Sequence, residues 1–274
     1  MRLRLLIPVL LMMPAGVGLQ AQETHRFVPQ QYYNTFSGAH PPALRIKPGD
    51  RVITTTVDAG GTDVNGKSVA TGPNPQTGPF FVEGAEPGDM LVVSIEKIEV
   101  NRADAYAGSL LAPYALDPAA IGQRVDREAR RVTWKLDKAR GVATLSEPGI
   151  TPALELPLRP MLGCVGVAPA RKEAIATSTP GPFGGNMDYA GLVAGVKVML
   201  PVNEPGALLF MGDGHARQGD GEVVGVGLEI SMDVEFTVDL VKKKTITWPS
   251  RLFVKRDIET KARLAALSMS SRLM

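Results

Sequence analysis

From Val224 to Leu240 every even-numbered residue is apolar (Val224, Val226, Leu228, Ile230, Met232, Val234, Phe236, Val238, Leu240) and every odd-numbered one is small or polar. A period of two over seventeen residues demands extended chain, with one face on a core and the other toward water. Gly225 and Gly227 mark where such a run kinks into two strands. Shorter runs behave alike: Arg51–Val57, Met90–Val100, Arg131–Leu136, Val193–Val202 and Ala207–Met211, most of them bounded by Gly, Pro or Asp. Two strands follow a Pro-Gly-Asp turn, Pro48-Gly49-Asp50 and Pro87-Gly88-Asp89, in which Pro presets φ and Gly takes φ > 0. With 29 Gly and 22 Pro in 274 residues, long helices are disfavoured. Only Ala115–Ile121 and the C-terminal stretch read as helical. The expected fold is mainly β, an antiparallel sandwich or barrel-like arrangement with few short helices.

Residues 1–21 begin with Arg2 and Arg4, continue through an apolar stretch from Leu5 to Met13, and end in small residues at Ala21. This reads as a secretory signal, shorter than the roughly 20 apolar residues of a spanning helix. An uncleaved anchor is the alternative. The expected organisation is a signal peptide at 1–21 and a single domain at 22–274, exported to the periplasm or secreted, with Ala103–Ile121 as an excursion and no stable membrane span after cleavage. Removing the signal leaves basic and acidic residues in balance, so no nucleic-acid partner is implied. The basic end after Leu240 reads as a solvated tail, with an acidic partner or membrane surface as the alternative. The lone Cys164 excludes an intrachain disulfide and a thiolate zinc cage, so any metal must use His, Asp, Glu or Asn.

Chemistry is expected in four Gly-rich segments. The densest, Gly212–Glu222 (GDGHARQGDGE), spaces Asp213 and His215 two apart, so that on extended backbone both point one way and can share a cation. A hairpin loop with hydrated acids is the alternative. Thr177–Tyr189 brings Gly184-Gly185, where backbone can pass close to a ligand, next to Asn186 and Asp188. Asp58, at a strand end before two glycines, is either a ligand or an Asx turn. Glu83, following an apolar strand, is either a desolvated proton shuttle or a surface glutamate. No GxSxG elbow supports a Ser-His-Asp triad, and Cys164 in its apolar setting reads as packing rather than nucleophile.

Taken in order, PGDRV with VDAGG, NPQTGPFFVEGAEPGD, RPMLGCVGVAP, GPFGGNMD and LPVNEPGALLFMGDGHARQGDGE resemble the acetamidase/formamidase family over about Lys47 to Val234. The resemblance implies hydrolysis of a small carboxamide to carboxylate and ammonia, on a β-sandwich-rich fold that forms homo-oligomers. It also implies metal-assisted chemistry around Asp58, Glu83, Asn186, Asp188, Asp213 and His215. One departure stands out: this chain has Asn74 in NPQTGP, where many members carry His.

On that basis Asp58, Asp188 and His215 are expected to hold a divalent ion, zinc with calcium as the alternative. Asp213 serves as a fourth ligand or orients the imidazole. Glu83 is expected to move the proton. Gly184, Gly185 and Gly214 are expected to offer N–H donors to the developing oxyanion, with Asn186 on the substrate. Two competing readings are a non-catalytic exported β-sandwich holding structural calcium around a small ligand, and a structural subunit of an envelope assembly.

Overall fold

The computed structural model describes residues 22–108, 117–121, 131–145, 152–220, 222 and 225–253. The signal at 1–21 and most of the basic tail lie outside them. The strands in chain order are β1 (Thr24–Arg26), β2 (Thr35–Ser37), β3 (Leu44–Ile46), β4 (Arg51–Thr55), β5 (Thr77–Val82) and β6 (Met90–Val100). They continue with β7 (Asp104–Gly108), β8 (Arg131–Asp137), β9 (Val142–Leu145), β10 (Glu155–Pro157), β11 (Met161–Gly166) and β12 (Ala174–Ala176). The last six are β13 (Pro180–Gly181), β14 (Gly184–Asn186), β15 (Val196–Pro201), β16 (Leu209–His215), β17 (Met232–Val241) and β18 (Ser250–Phe253). Within Ala115–Ile121 the described helix is one turn, Pro118–Ile121.

Two six-stranded sheets dominate, ordered β1-β4-β17-β6-β15-β18 and β13-β14-β11-β16-β5-β3. A four-stranded sheet, β10-β9-β8-β7, and the pair β12-β2 complete the set. The architecture is mainly β as expected, built of several sheets, and among the described residues none closes into a barrel. The long alternating run splits as its glycines suggest: β17 begins at Met232 and pairs with β6 along its whole length, while residues 225–231 leave the sheet. Its even positions are buried from Leu228 to Val238. They meet the second sheet where Phe236 of β17 packs edge-on against Phe80 of β5, centroids 5.2 Å apart. Residues of both sheets belong to one hydrophobic core.

The Pro-Gly-Asp turns are built alike. Asp50 accepts from the main-chain N–H of Lys47 at 2.8 Å, and Asp89 from that of Glu86 at 3.0 Å, so each aspartate closes its turn. Gly49 and Gly88 take φ of 94° and 93°. Among the described residues no helix is long and apolar enough to cross a membrane.

Candidate active site and metal centre

Every residue of β16 is buried, including Asp213 and His215. The strand therefore continues through Gly-Asp-Gly-His, and the segment expected to loop from Gly212 turns only after His215. On one side β11 runs antiparallel, with Met161 opposite His215 and Leu162 opposite Gly214. A Cβ on Gly163 of β11 would stand 2.5 Å from both Asp188 Oδ1 and Asp213 Oδ2, so the bare α-carbon is what lets two carboxylates converge there. On the other side residues 228–230 run beside 214–217, through Ala216 N–H to Leu228 O at 2.8 Å and Ile230 N–H to Gly214 O at 2.9 Å. This sets Glu229 opposite His215.

His215 Nε2 lies 3.0 Å from Glu229 Oε1 and 3.4 Å from Asp213 Oδ1, yet makes no aligned hydrogen bond to either. Glu229 Oε2 and Asp188 Oδ1 are likewise buried without a partner. The other ring nitrogen, Nδ1, stands 2.8 Å from Gln218 Oε1, while the Gln218 amide N–H donates to the Asp188 main-chain carbonyl. That second bond fixes which end of the amide faces the ring. Nδ1 therefore carries a hydrogen, and Nε2 is the ring nitrogen that faces the two carboxylates. Two buried carboxylates meeting in a dry space require a positive charge among them, supplied by an imidazolium or by a cation that the ring and the acids share.

The electrostatics agree. Burial, then Asp213 and Glu222, push Asp188 up to about 8. Burial pushes Glu222 up to about 7 against the opposing pull of His215, and burial raises Glu229 as well. Burial would lower His215, but Glu229 and Asp213 hold it well above the usual imidazole range. Two donor groups emerge around one ring: Asp213, His215 and Glu229, all buried, on the Nε2 side, and Asp188 with Glu222, half-buried, toward Nδ1.

The sequence profile of the Acetamidase/Formamidase family matches residues 20–174 and 170–263. The chain belongs to the acetamidase/formamidase family. It is 27% identical to a formamidase of Methylophilus methylotrophus over 267 aligned positions, 77% of this chain and 64% of that one. It is 30% identical to an acetamidase of Mycolicibacterium smegmatis over 217, covering 61% and 53%. It thus spans between half and two thirds of the length of these relatives. Among solved structures it resembles the acetamidase/formamidase of Thermoanaerobacter tengcongensis, with TM-score 0.72 and 30% identity over 85% of this chain and 75% of that one. It also resembles the acetamidase of Yersinia enterocolitica, with TM-score 0.71 and 30% identity over 90% and 80%.

In this family member Asp188, Asp213, His215 and Asn186 come together. Asn186 donates to Asp188 Oδ2 and accepts from Asn74 Nδ2 at 2.6 Å. Asn74, buried at φ 49°, also reaches Asp213 Oδ2 at 3.3 Å, so the residue that departs from the family pattern stands inside the carboxylate network.

Other expectations need correction. Asp58 is committed elsewhere: one oxygen accepts from the N–H groups of Gly60 and Thr62, and the other meets the Arg102 guanidinium at 2.7 Å. That is the Asx turn, locked by a buried ion pair, and Asp58 belongs to neither donor group around His215. Glu83 is exposed beyond Val82, at the opposite end of β5 from Thr77 and Gln76. Gly184 and Gly185 pack against the protein's own backbone, where a Cβ would strike Val165 O at 2.4 Å and Thr179 O at 2.3 Å. Gly214 likewise accommodates Met232, 2.3 Å from its Cβ position. Close approach explains these three glycines, but the approach is by neighbouring strands rather than a ligand. Cys164 is buried against Thr177 O, and burial with Asp213 and Asp188 keeps its thiol protonated.

Glu229, Gln218 and Gly163 were missed. Glu229 holds an odd position in the alternating run, which assigned it to water, whereas residues 225–231 have left the sheet and turn it inward. An acid in the kinked part of a strand, just after a Gly-rich loop, was the available signal.

Proposed function

We propose that this protein hydrolyses a primary carboxamide to carboxylate and ammonia, at a centre where Asp213, His215 and Glu229 hold a divalent cation. The observation that carries the reading is the buried Nε2 of His215, facing two carboxylates without an aligned hydrogen bond to either. One nitrogen and two carboxylates suit zinc better than calcium, which takes six to eight oxygens. Such an ion polarises a carbonyl and lowers the pKa of water, which is what a poor electrophile such as an amide needs.

The chain's own residues account for the rest. Gln218 accepts the Nδ1–H and so holds the imidazole in its ligating tautomer. Asn186 and Asn74 orient Asp188 and Asp213. Asp188 and Glu222 replace Glu83 as the groups that move the proton: they take it from the attacking water and return it to nitrogen as the C–N bond breaks. The formamidase and acetamidase names of the relatives support amide chemistry.

The test is metal analysis of the purified protein together with an ammonia-release assay before and after chelation. About one cation per chain is expected, with activity lost on removal and regained with zinc. Undiminished hydrolysis by the metal-free protein would remove the cation from the proposal. Absence of ammonia from every amide tried would remove the enzyme. The proposal extends to export by residues 1–21 and to a homo-oligomer. N-terminal sequencing should find the mature chain starting at Gln22, and the mass in solution should be a multiple of one chain.

A further inference from the structure

A cleft of about 350 Å³ opens beside the site. The four-stranded sheet supplies Val132, Trp134, Leu145 and Leu156 to its walls, and Val226 and Leu228 close the other side. Two further wall residues contact His215, while the side chains of His215 and of the acids around it do not line the cleft. Gln218 is the hydrogen-bond partner of His215 Nδ1, and Gly227 lies under the imidazole, its Cβ position 2.5 Å from Cγ and Nδ1.

Size and chemistry then constrain the substrate. A water molecule claims roughly 30 Å³ of liquid, so the cleft matches about ten water-sized atoms. Formamide and acetamide, with three and four heavy atoms, would leave its apolar walls wet. The carboxyl groups of Asp188 and Glu222 are the acceptors that an amide –NH2 requires, whereas the Val, Leu and Trp side chains of the cleft offer none. The –NH2 therefore turns to the acids and the acyl substituent to the cleft.

We infer that the preferred substrate is a primary amide with an apolar acyl group of several carbons or a phenyl ring, seated against Trp134, Leu145 and Leu156. The inference rests on the amide-hydrolase reading and specifies its substrate class. Each buried methylene gains about 0.8 kcal/mol, or nearly fourfold.

The experiment compares kcat/KM for acetamide, butyramide, hexanamide and 3-phenylpropionamide on the metal-loaded enzyme. The expected rise from acetamide to hexanamide, four methylenes, is about two-hundredfold. Gly219 lines the cleft and a Cβ there meets nothing within 4 Å, so Gly219→Phe adds bulk to the wall from a position with open space around it. It should lower the hexanamide to acetamide ratio about tenfold or more. A flat series, or a ratio that Gly219→Phe leaves unchanged, overturns the inference while amide hydrolysis stands. A gain with N-hexylacetamide in place of hexanamide overturns the acyl placement. Binding is read separately from turnover. Of the two tryptophans only Trp134 lines the cleft, so hexanamide should change the fluorescence of the native protein and not of Trp134→Phe. That change with no ammonia from any amide would refute the reaction and support the apolar cleft. No change would overturn the cleft assignment.

Discussion

Acids in the Pro-Gly-Asp turns and acids at the end of β16 are both taken out of water, and they are treated in opposite ways. In the turns every carboxylate oxygen is used. Asp50 accepts from Glu23 and Lys47 N–H groups and meets His25 Nε2 at 2.9 Å. Asp89 accepts from Glu86 and Lys243 N–H groups and from Lys242 Nζ. Burial opposes ionisation at both, but these donors hold Asp50 below the usual carboxylate range and Asp89 at about 2. At the β16 end the acids face one another and an imidazole, Asp188 Oδ1 and Glu229 Oε2 remain without a hydrogen-bond partner, and Asp188, Glu222 and Glu229 are all raised. Burial alone therefore does not mark a reactive carboxylate. Burial with the hydrogen-bond inventory left incomplete does.

The contrast is broken most directly at Glu229. Glu229→Gln keeps the shape and removes the charge. We expect the chain to stay folded, the proposed cation to be lost, and kcat/KM for amide hydrolysis to fall about a thousandfold or more, measured by metal analysis and ammonia release. A variant that keeps both cation and turnover would place Glu229 among the satisfied acids.

Asp58 tests the other side. Asp58→Asn preserves an oxygen for the Gly60 and Thr62 N–H groups but leaves Arg102 buried without its counter-charge. Breaking such a pair costs about 3 kcal/mol, so denaturant unfolding should show a large loss of stability and a normal cation content. Adding Arg102→Met should recover much of that loss. Loss of the cation with stability intact would return Asp58 to the ligand set.

Asp89→Asn sharpens the comparison on a smaller scale, about 1 kcal/mol after screening. Asp89 is lowered from 3.8 to about 2, so its contribution is complete above pH 4 and disappears as pH falls toward 2. Acid unfolding of the variant should lack that limb.

The frame was legible because its signals are local. Period two places Val52, Val93 and Phe236 inside without knowledge of any partner strand, and Pro-Gly-Asp dictates its own turn. The site is not local. Gly163, Asp188, His215 and Glu229 belong to four segments, and their meeting depends on the register of β11 against β16 and on residues 225–231 leaving the sheet. Asp58 and Asp188 both follow the expectation of an acid beside glycines. Only the arrival of Arg102, from beyond the end of β6, separates an acid tied into the frame from one that joins the His215 cluster.

Glu83 is the smallest expected effect and the sharpest check on how an acid at a strand end should be read. Its setting in sequence is close to that of Asp58: each acid follows a strand, with Gly84 directly after Glu83 and Gly60-Gly61 one residue beyond Asp58. Yet Val82 ends β5 at the edge opposite the carboxylate cluster, and the side chain is exposed to water. A solvated carboxylate has nothing to desolvate it and no reacting atom within reach. Glu83→Gln should leave kcat/KM for amide hydrolysis within about twofold and stability within about 0.5 kcal/mol. A loss of turnover as large as that of Glu229→Gln would mean that the β5 turn meets the substrate, and that the proton leaves by a route other than Asp188 and Glu222.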